Sequence, residues 1–216
     1  MQGDISAYLR QQMADTDIFC FQEAYENMKI LGGNILKNYQ EVSATKFVTE
    51  YDNFQQTIYV KQSIPIIASG TILADRENCG LGLYVEVQSD NSTIRICNFH
   101  GMSRPVDKSD NPNRILQSEE LIKFYDGKAS VIIGGDFNIF PTNKSEQMFE
   151  EHGYRDLIKD FNIQTTRNQY AWEMYPNSKQ YYSDYVFMSP DLTLKEFTVV
   201  DNLVSDHLPL HVVVGD

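Results

Sequence analysis

The chain has 216 residues, 42% of them hydrophobic and 22% charged, with a net charge of −12. That length suits one compact domain with a substantial core. No run of about 18 apolar residues is present, which excludes a membrane-spanning helix. The 18 basic residues are scattered, and an acidic surface repels polyanions, so tight nonspecific nucleic-acid binding is not expected.

The start, Met1-Gln2-Gly3-Asp4, shows no basic segment followed by an apolar stretch. The expected location is therefore cytoplasmic, with secretion left open if a leader precedes Met1. Asp4 is placed to cap a first helix with an apolar stripe of Ile5, Tyr8, Leu9 and Met13. Asp17 to Phe21 reads as a buried strand ending at Gln22-Glu23. Strands are then expected over Thr45 to Thr49, Thr57 to Lys61, Ile64 to Leu73, Leu81 to Val87 and Thr93 to His100. Gly80 and Ser89-Asp90-Asn91-Ser92 are turn signals.

Asn111-Pro112 opens a second helix, which Gly127 ends. Ile115, Leu116, Ile122 and Tyr125 give it an apolar face. Ser130 to Ile133 reads as a short buried strand running into Gly134-Gly135-Asp136-Phe137-Asn138. A third helix fits Lys144 to Glu151, with Asn143 as its cap and Gly153 beyond its end. Tyr185 to Met188, Leu192 to Val200 and Leu208 to Val214 complete the strands. Many strands with a few interspersed helices predict an α+β or α/β layered sandwich.

The three cysteines, Cys20, Cys79 and Cys97, are odd in number and lack a CxxC spacing, which speaks against a disulfide framework and a zinc site. Cys20 and Cys97 sit in apolar strand-like runs and are expected as reduced core residues. Groups capable of chemistry recur at strand ends: Glu23, His100, Asp136 with Asn138, Asp184, and Asp206-His207. A layered fold gathers such ends around one crevice. Asp136-x-Asn138 puts two oxygen ligands on one side of an extended segment, suited to a hard cation or a water, or equally to a local turn. His207 needs a carboxylate to fix its tautomer, and Asp184 is the natural candidate. His207-x-x-x-His211 has helical zinc spacing, but Pro209 interrupts it and its flanks look like strand, so zinc is rejected and His211 is read as structural. His152, at a helix end, receives no chemistry.

Phe21-Gln22-Glu23, Asn98-Phe99-His100-Gly101, Gly134-Gly135-Asp136-Phe137-Asn138, Ser183-Asp184-Tyr185 and Ser205-Asp206-His207-Leu208-Pro209-Leu210 resemble, in order, the signature segments of the endonuclease/exonuclease/phosphatase superfamily. The resemblance implies a single-domain four-layer αββα sandwich, with two mostly antiparallel sheets and a site at one edge. It implies a phosphoesterase in which Glu23, with Asp206, holds Mg²⁺ or Mn²⁺. His207 would be the general base or a stabiliser of the phosphorane-like transition state, oriented by Asp184. Asp136 and Asn138 would position water and phosphate oxygen or hold a second metal, and His100 would contact the phosphate. Arg104, Arg114 and Arg167 are phosphate-clamp candidates, with solvated-face or other structural roles as the alternative.

The resemblance also implies a first strand carrying an asparagine. Here the first helix starts at Asp4, Asn27 and Asn34 come too late, and the domain over 1–216 is expected to lack that strand. The charge favours a small or membrane-derived phosphoester over long duplex DNA. An abasic-site or general DNA endonuclease is the alternative within the family, and a non-catalytic phosphate-ligand or protein-binding domain the alternative outside catalysis. No oligomeric state is read from the sequence.

Overall fold

A computed structural model describes residues 4–48, 53–89, 92–174, 176–177 and 179–215. The elements run α1 (Ile5–Gln12), β1 (Ile18–Phe21), α2 (Glu26–Ile35), β2 (Tyr39–Phe47), β3 (Asn53–Lys61), β4 (Ile66–Ile72), β5 (Leu81–Ser89) and β6 (Ser92–His100). They continue as α3 (Pro112–Tyr125), β7 (Val131–Asp136), α4 (Lys144–Glu151), β8 (Arg155–Asp156), α5 (Leu157–Asp160), α6 (Gln169–Met174), β9 (Asp184–Met188), β10 (Leu194–Val199) and β11 (Leu210–Val214). Thr49 and the Asp90-Asn91 part of the expected turn lie outside the described residues. No helix among the described residues is long and apolar enough to cross a membrane.

A six-stranded sheet in the order β4-β5-β6-β7-β9-β8 forms the centre. Its pairings are antiparallel except β6–β7, which is parallel and therefore needs the long α3 crossover. Facing it lie a three-stranded sheet, β1-β3-β2, and the β10–β11 pair. Ile58 and Val60 of β3, with Ile18 of β1, pack between the layers on Leu83, Val85 and Ile96. Outside, α1 and α2 cover the three-stranded sheet through Leu9, Ile35, Tyr39 and Tyr59. On the other side Leu121, Tyr125 and Phe149 of α3 and α4 pack on Val131, Ile133 and Phe187. The molecule is thus the layered α/β sandwich expected from the strand and helix pattern.

Asp4 caps α1, accepting from the Ser6 and Ala7 amides, and Asn111 caps α3 in the same way. Asn143 does not cap α4: its side chain makes no bond to the helix. The Asp110 carboxylate reaches across from the loop before α3 instead, accepting from Lys144 N at 2.5 Å and Ser145 N at 3.2 Å. Asn143 is thereby free to donate to Lys108 O at 2.7 Å. The sequence pattern also missed α2, because Gly32-Gly33 reads as a helix breaker. A side chain at Gly32 would meet the Tyr59 hydroxyl at 2.7 Å, so close packing decides this glycine. β2 and β3 begin earlier than their apolar runs suggest, because partner strands complete them.

Cys97 is buried as expected, but Cys20 is exposed. Its alternation with Phe19 and Phe21, which pack on the helix side, points it between the sheets. There β1 pairs with β3 alone, and β11 with β10 alone, among the described residues. Among the described residues this side of the layer stays uncovered at Cys20.

Candidate active site

Strand register assembles the site. His100 is the parallel partner of Asp136, and Asp136 is the antiparallel partner of Asp184. Three neighbouring strands therefore place three chemically capable side chains in one row at the end of the central sheet. His207 reaches the row from the other layer, held by an isolated bridge to Arg167. At Gly135, with φ +138°, a Cβ would lie 2.0 Å from Phe99 O. Only glycine lets β7 press this closely on β6 beside Asp136.

The His207 ring hangs on Asp184: Nδ1 lies 3.0 and 2.9 Å from the two carboxylate oxygens. Nε2 is left 3.8 Å from Asp136 Oδ2 and 3.9 Å from Asp206 Oδ2. Burial works against the imidazolium, but Asp184, then Asp136, outweigh it and raise the His207 pKa to about 9. Asp136 is buried. Burial disfavours its charge, yet His207, His100, Lys108 and the Ser183 hydroxyl hold its carboxyl below the usual range. Its Oδ1 accepts from Ser183 Oγ at 2.5 Å and from the Asn138 amide at 3.0 Å. Its Oδ2 faces His207 and also His100, whose Nε2 is 4.0 Å away. His100 is buried with its ring T-shaped to Phe54, and its Nδ1 has no hydrogen-bond partner among the described residues. Asn138, with φ +55°, donates its side-chain Nδ2 to Gly101 O at 3.2 Å.

Glu23 also has a positive φ, +51°. It follows Gln22, whose amide binds the buried Asn98 and lies against Gly135, so Glu23 stands at the same end of the sheets. Its side chain is exposed, with no hydrogen bond or ion pair among the described residues. Asp206 gives Oδ2 to Arg167 Nη2 at 2.7 Å, and its Oδ1 keeps only a 3.4 Å contact with Ser205 Oγ. Among the described residues no three His, Cys, Asp or Glu side chains converge as a ready-made metal cluster. In kind, however, a free Glu23 carboxylate and a free Asp206 oxygen fit a hard divalent cation.

The three arginines diverge. Arg167 is buried in the site on Asp206. Arg114 is neither a solvated residue nor placed at the row: it is buried and braces the loop before α3, donating to Ser109 O and Pro105 O, both at 2.6 Å. Arg104 is exposed on that loop, before a cis bond to Pro105. His211 lies on β11 opposite Thr198, and His152 Nδ1 lies 2.7 Å from Met148 O. Thr166 and Lys108 escaped the sequence reading, and Ser183 stands in a signature segment but was given no role. Thr166 Oγ1 takes the Ser183 and Asp184 amides. The place of Ser183 directly before Asp184 could have marked it; nothing in the sequence marks Lys108.

This fold is that of a known class. The chain belongs to the endonuclease/exonuclease/phosphatase family, whose model matches residues 1–207. Among solved structures it is similar to the Bacteroides thetaiotaomicron mannosyl-6-phosphatase, with 18% identity, a TM-score of 0.75, and coverage of 98% of this chain and 89% of that one. The human Nocturnin catalytic domain with bound sulfate gives 16% identity, TM-score 0.69, and coverage of 95% and 84%. D. rerio TDP2 complexed with a single-strand DNA product gives 15%, 0.70, and coverage of 98% and 90%. At these identities the likeness is one of fold. No curated protein matches the sequence.

Proposed function

We propose that this chain is a Mg²⁺- or Mn²⁺-dependent phosphoesterase that hydrolyses a small or membrane-derived phosphoester. The observation that carries this reading is the Asp184–His207 pair, with Nδ1 held and Nε2 turned toward Asp136 and Asp206. With Nδ1–H on Asp184, a neutral ring offers its Nε2 lone pair to a water lying between it and Asp136 Oδ2. Water attacks phosphorus and gives its proton to Nε2; the P–O bond to the leaving group breaks, and the departing alkoxide takes a proton from solvent to leave as the alcohol. As imidazolium, the same Nε2 donates to a phosphoryl oxygen instead. Asn138 would orient water or phosphate oxygen, and His100 would meet the phosphate. Glu23 and Asp206 would hold the cation, which supplies polarisation of the phosphoryl oxygen and neutralises developing charge. Arg167 would sit beside the phosphate while fixing one oxygen of Asp206. Arg104, exposed on the loop, would be a substrate contact; Arg114, buried in bracing that loop, is not assigned to phosphate.

A nuclease reading rests on the family and on the DNA-bound relative, and the net charge of −12 weighs against it. The test is hydrolysis of an activated phosphodiester, an abasic-site duplex, supercoiled plasmid and sphingomyelin, each with Mg²⁺, Mn²⁺ or EDTA. Asp206→Ala serves as the blank. Metal-dependent turnover, lost in the blank and cut at least ~100-fold by His207→Ala, is the expected result. Full activity in EDTA, or in His207→Ala, would remove that part of the mechanism. Silence on every substrate would favour a binding domain that keeps the fold.

A further inference from the structure

Behind the row of site residues lies a buried cation that the reading above does not use. Lys108 sits on the loop between β6 and α3 and is only 3% exposed. Burial pushes its ammonium below the usual lysine range, and Asp136 pulls it back up. A buried charge of this kind adds little net stability by itself. Its backbone is also held in the left-handed region, at φ +56°, where a lysine stays only if its surroundings impose it. Those surroundings are identifiable. Asn143, released from capping α4, donates to Lys108 O, while Asp110 ties the same loop to the first turn of α4.

The Lys108 ammonium lies 2.8 Å from Ser183 Oγ and 3.4 Å from Tyr182 O. An ammonium has hydrogens and no lone pair, so it can only donate. Ser183 Oγ must then accept from Lys108 and spend its own hydrogen on Asp136 Oδ1, 2.5 Å away. The direction of the chain is fixed: Lys108 to Ser183 to Asp136. With the Asn138 amide on the same oxygen, Oδ1 is fully occupied, and Oδ2 is the oxygen left to face the two histidines.

We propose that Lys108 is a positioning residue of this site: acting through Ser183, it locks Asp136 in the orientation that turns Oδ2 toward His207 and His100. This rests on the phosphoesterase reading for its catalytic consequence, but the physical link between Lys108 and Asp136 does not.

The experiment therefore has two arms. The first is urea unfolding of the wild type, Lys108→Met, Asp136→Asn and the double variant. If the ammonium serves Asp136, Lys108→Met lowers the urea midpoint at least twice as far with Asp136 present as with Asn in its place. Equal losses in the two backgrounds overturn the proposal and leave Lys108 a loop anchor. Should Lys108→Met not fold, Ser183→Ala enters the same cycle, since it cuts the relay and leaves Lys108 on Tyr182 O. The second arm is turnover of the substrate found above. Lys108→Met and Ser183→Ala should each lower kcat at least ~10-fold with KM within ~3-fold, and the double variant should be no worse than the poorer single one. Multiplying losses, or a rise in KM alone, would overturn the positioning role. A wild type without turnover would defeat the phosphoesterase reading, while the unfolding arm would still decide the Lys108–Asp136 link.

Discussion

Asp184 holds His207 with both of its carboxylate oxygens, at 3.0 and 2.9 Å from Nδ1, and this contact joins the two layers of the sandwich at the site. Asp184 opens β9 of the central sheet; His207 precedes β11 of the facing layer. The orientation of the ring thus depends on how the layers are stacked. Asp184→Asn keeps the shape but offers an amide in place of a full acceptor pair. It should lower kcat by ~100-fold or more with an unchanged circular-dichroism spectrum. Turnover within a factor of two of wild type would show that the ring is oriented by something else.

The same pair links stability to pH. His207 is raised from 6.5 to about 9 in the folded chain. The folded state then holds a proton that the unfolded state has released across that window. The stabilisation is fully present below about pH 6.5 and is lost as pH rises through about 9. Urea midpoints of wild type and His207→Ala should converge over this range, and a constant gap between them would contradict the assignment.

A second buried acid is predicted to act the same way far from the site. Glu146 on α4 is buried beside Asp156. Burial, then the Asp156 carboxyl, raises it from 4.5 to about 9. Between those values the folded chain keeps a proton that the unfolded chain loses, so stability declines with rising pH by at most ~1.4 kcal/mol per unit. Glu146→Gln should flatten that decline. Parallel stability curves for the two proteins from pH 5 to 8.5 would rule it out.

Capping of α4 by Asp110 gives a prediction that separates it from its neighbour. Asp110→Ala removes the acceptor for two free amides at the helix start and should cost ~1 kcal/mol. The effect is read from denaturant unfolding. A cost below ~0.3 kcal/mol would mean that solvent replaces the cap without loss.

Thiol reactivity tests the open edge beside β1. Cys20 is exposed, while Cys79 and Cys97 are buried. An aromatic disulfide reagent should label one thiol in the native chain and three in denaturant. Protection of all three thiols would show that this part of the layer is covered.

The sequence by itself determined the strand and helix order of most of the chain, the layered fold, the family, and the polar residues at the strand ends. These are legible because alternation, caps at Asp4 and Asn111, and the glycines around Asp136 act within a few residues. Tertiary structure alone decided the rest. It made α2 a helix despite Gly32-Gly33, since the Tyr59 ring leaves room only for glycine. It moved the cap of α4 from Asn143 to Asp110, sent Arg114 inward to brace a loop, and left Cys20 exposed where its apolar run predicted burial. It aligned His100, Asp136 and Asp184 by register and put Lys108 behind them. A local pattern carries the preference of a segment for one shape. Which distant donor finds which acceptor is set only when the layers pack, because an unpaired buried charge or amide costs more than any local preference can supply.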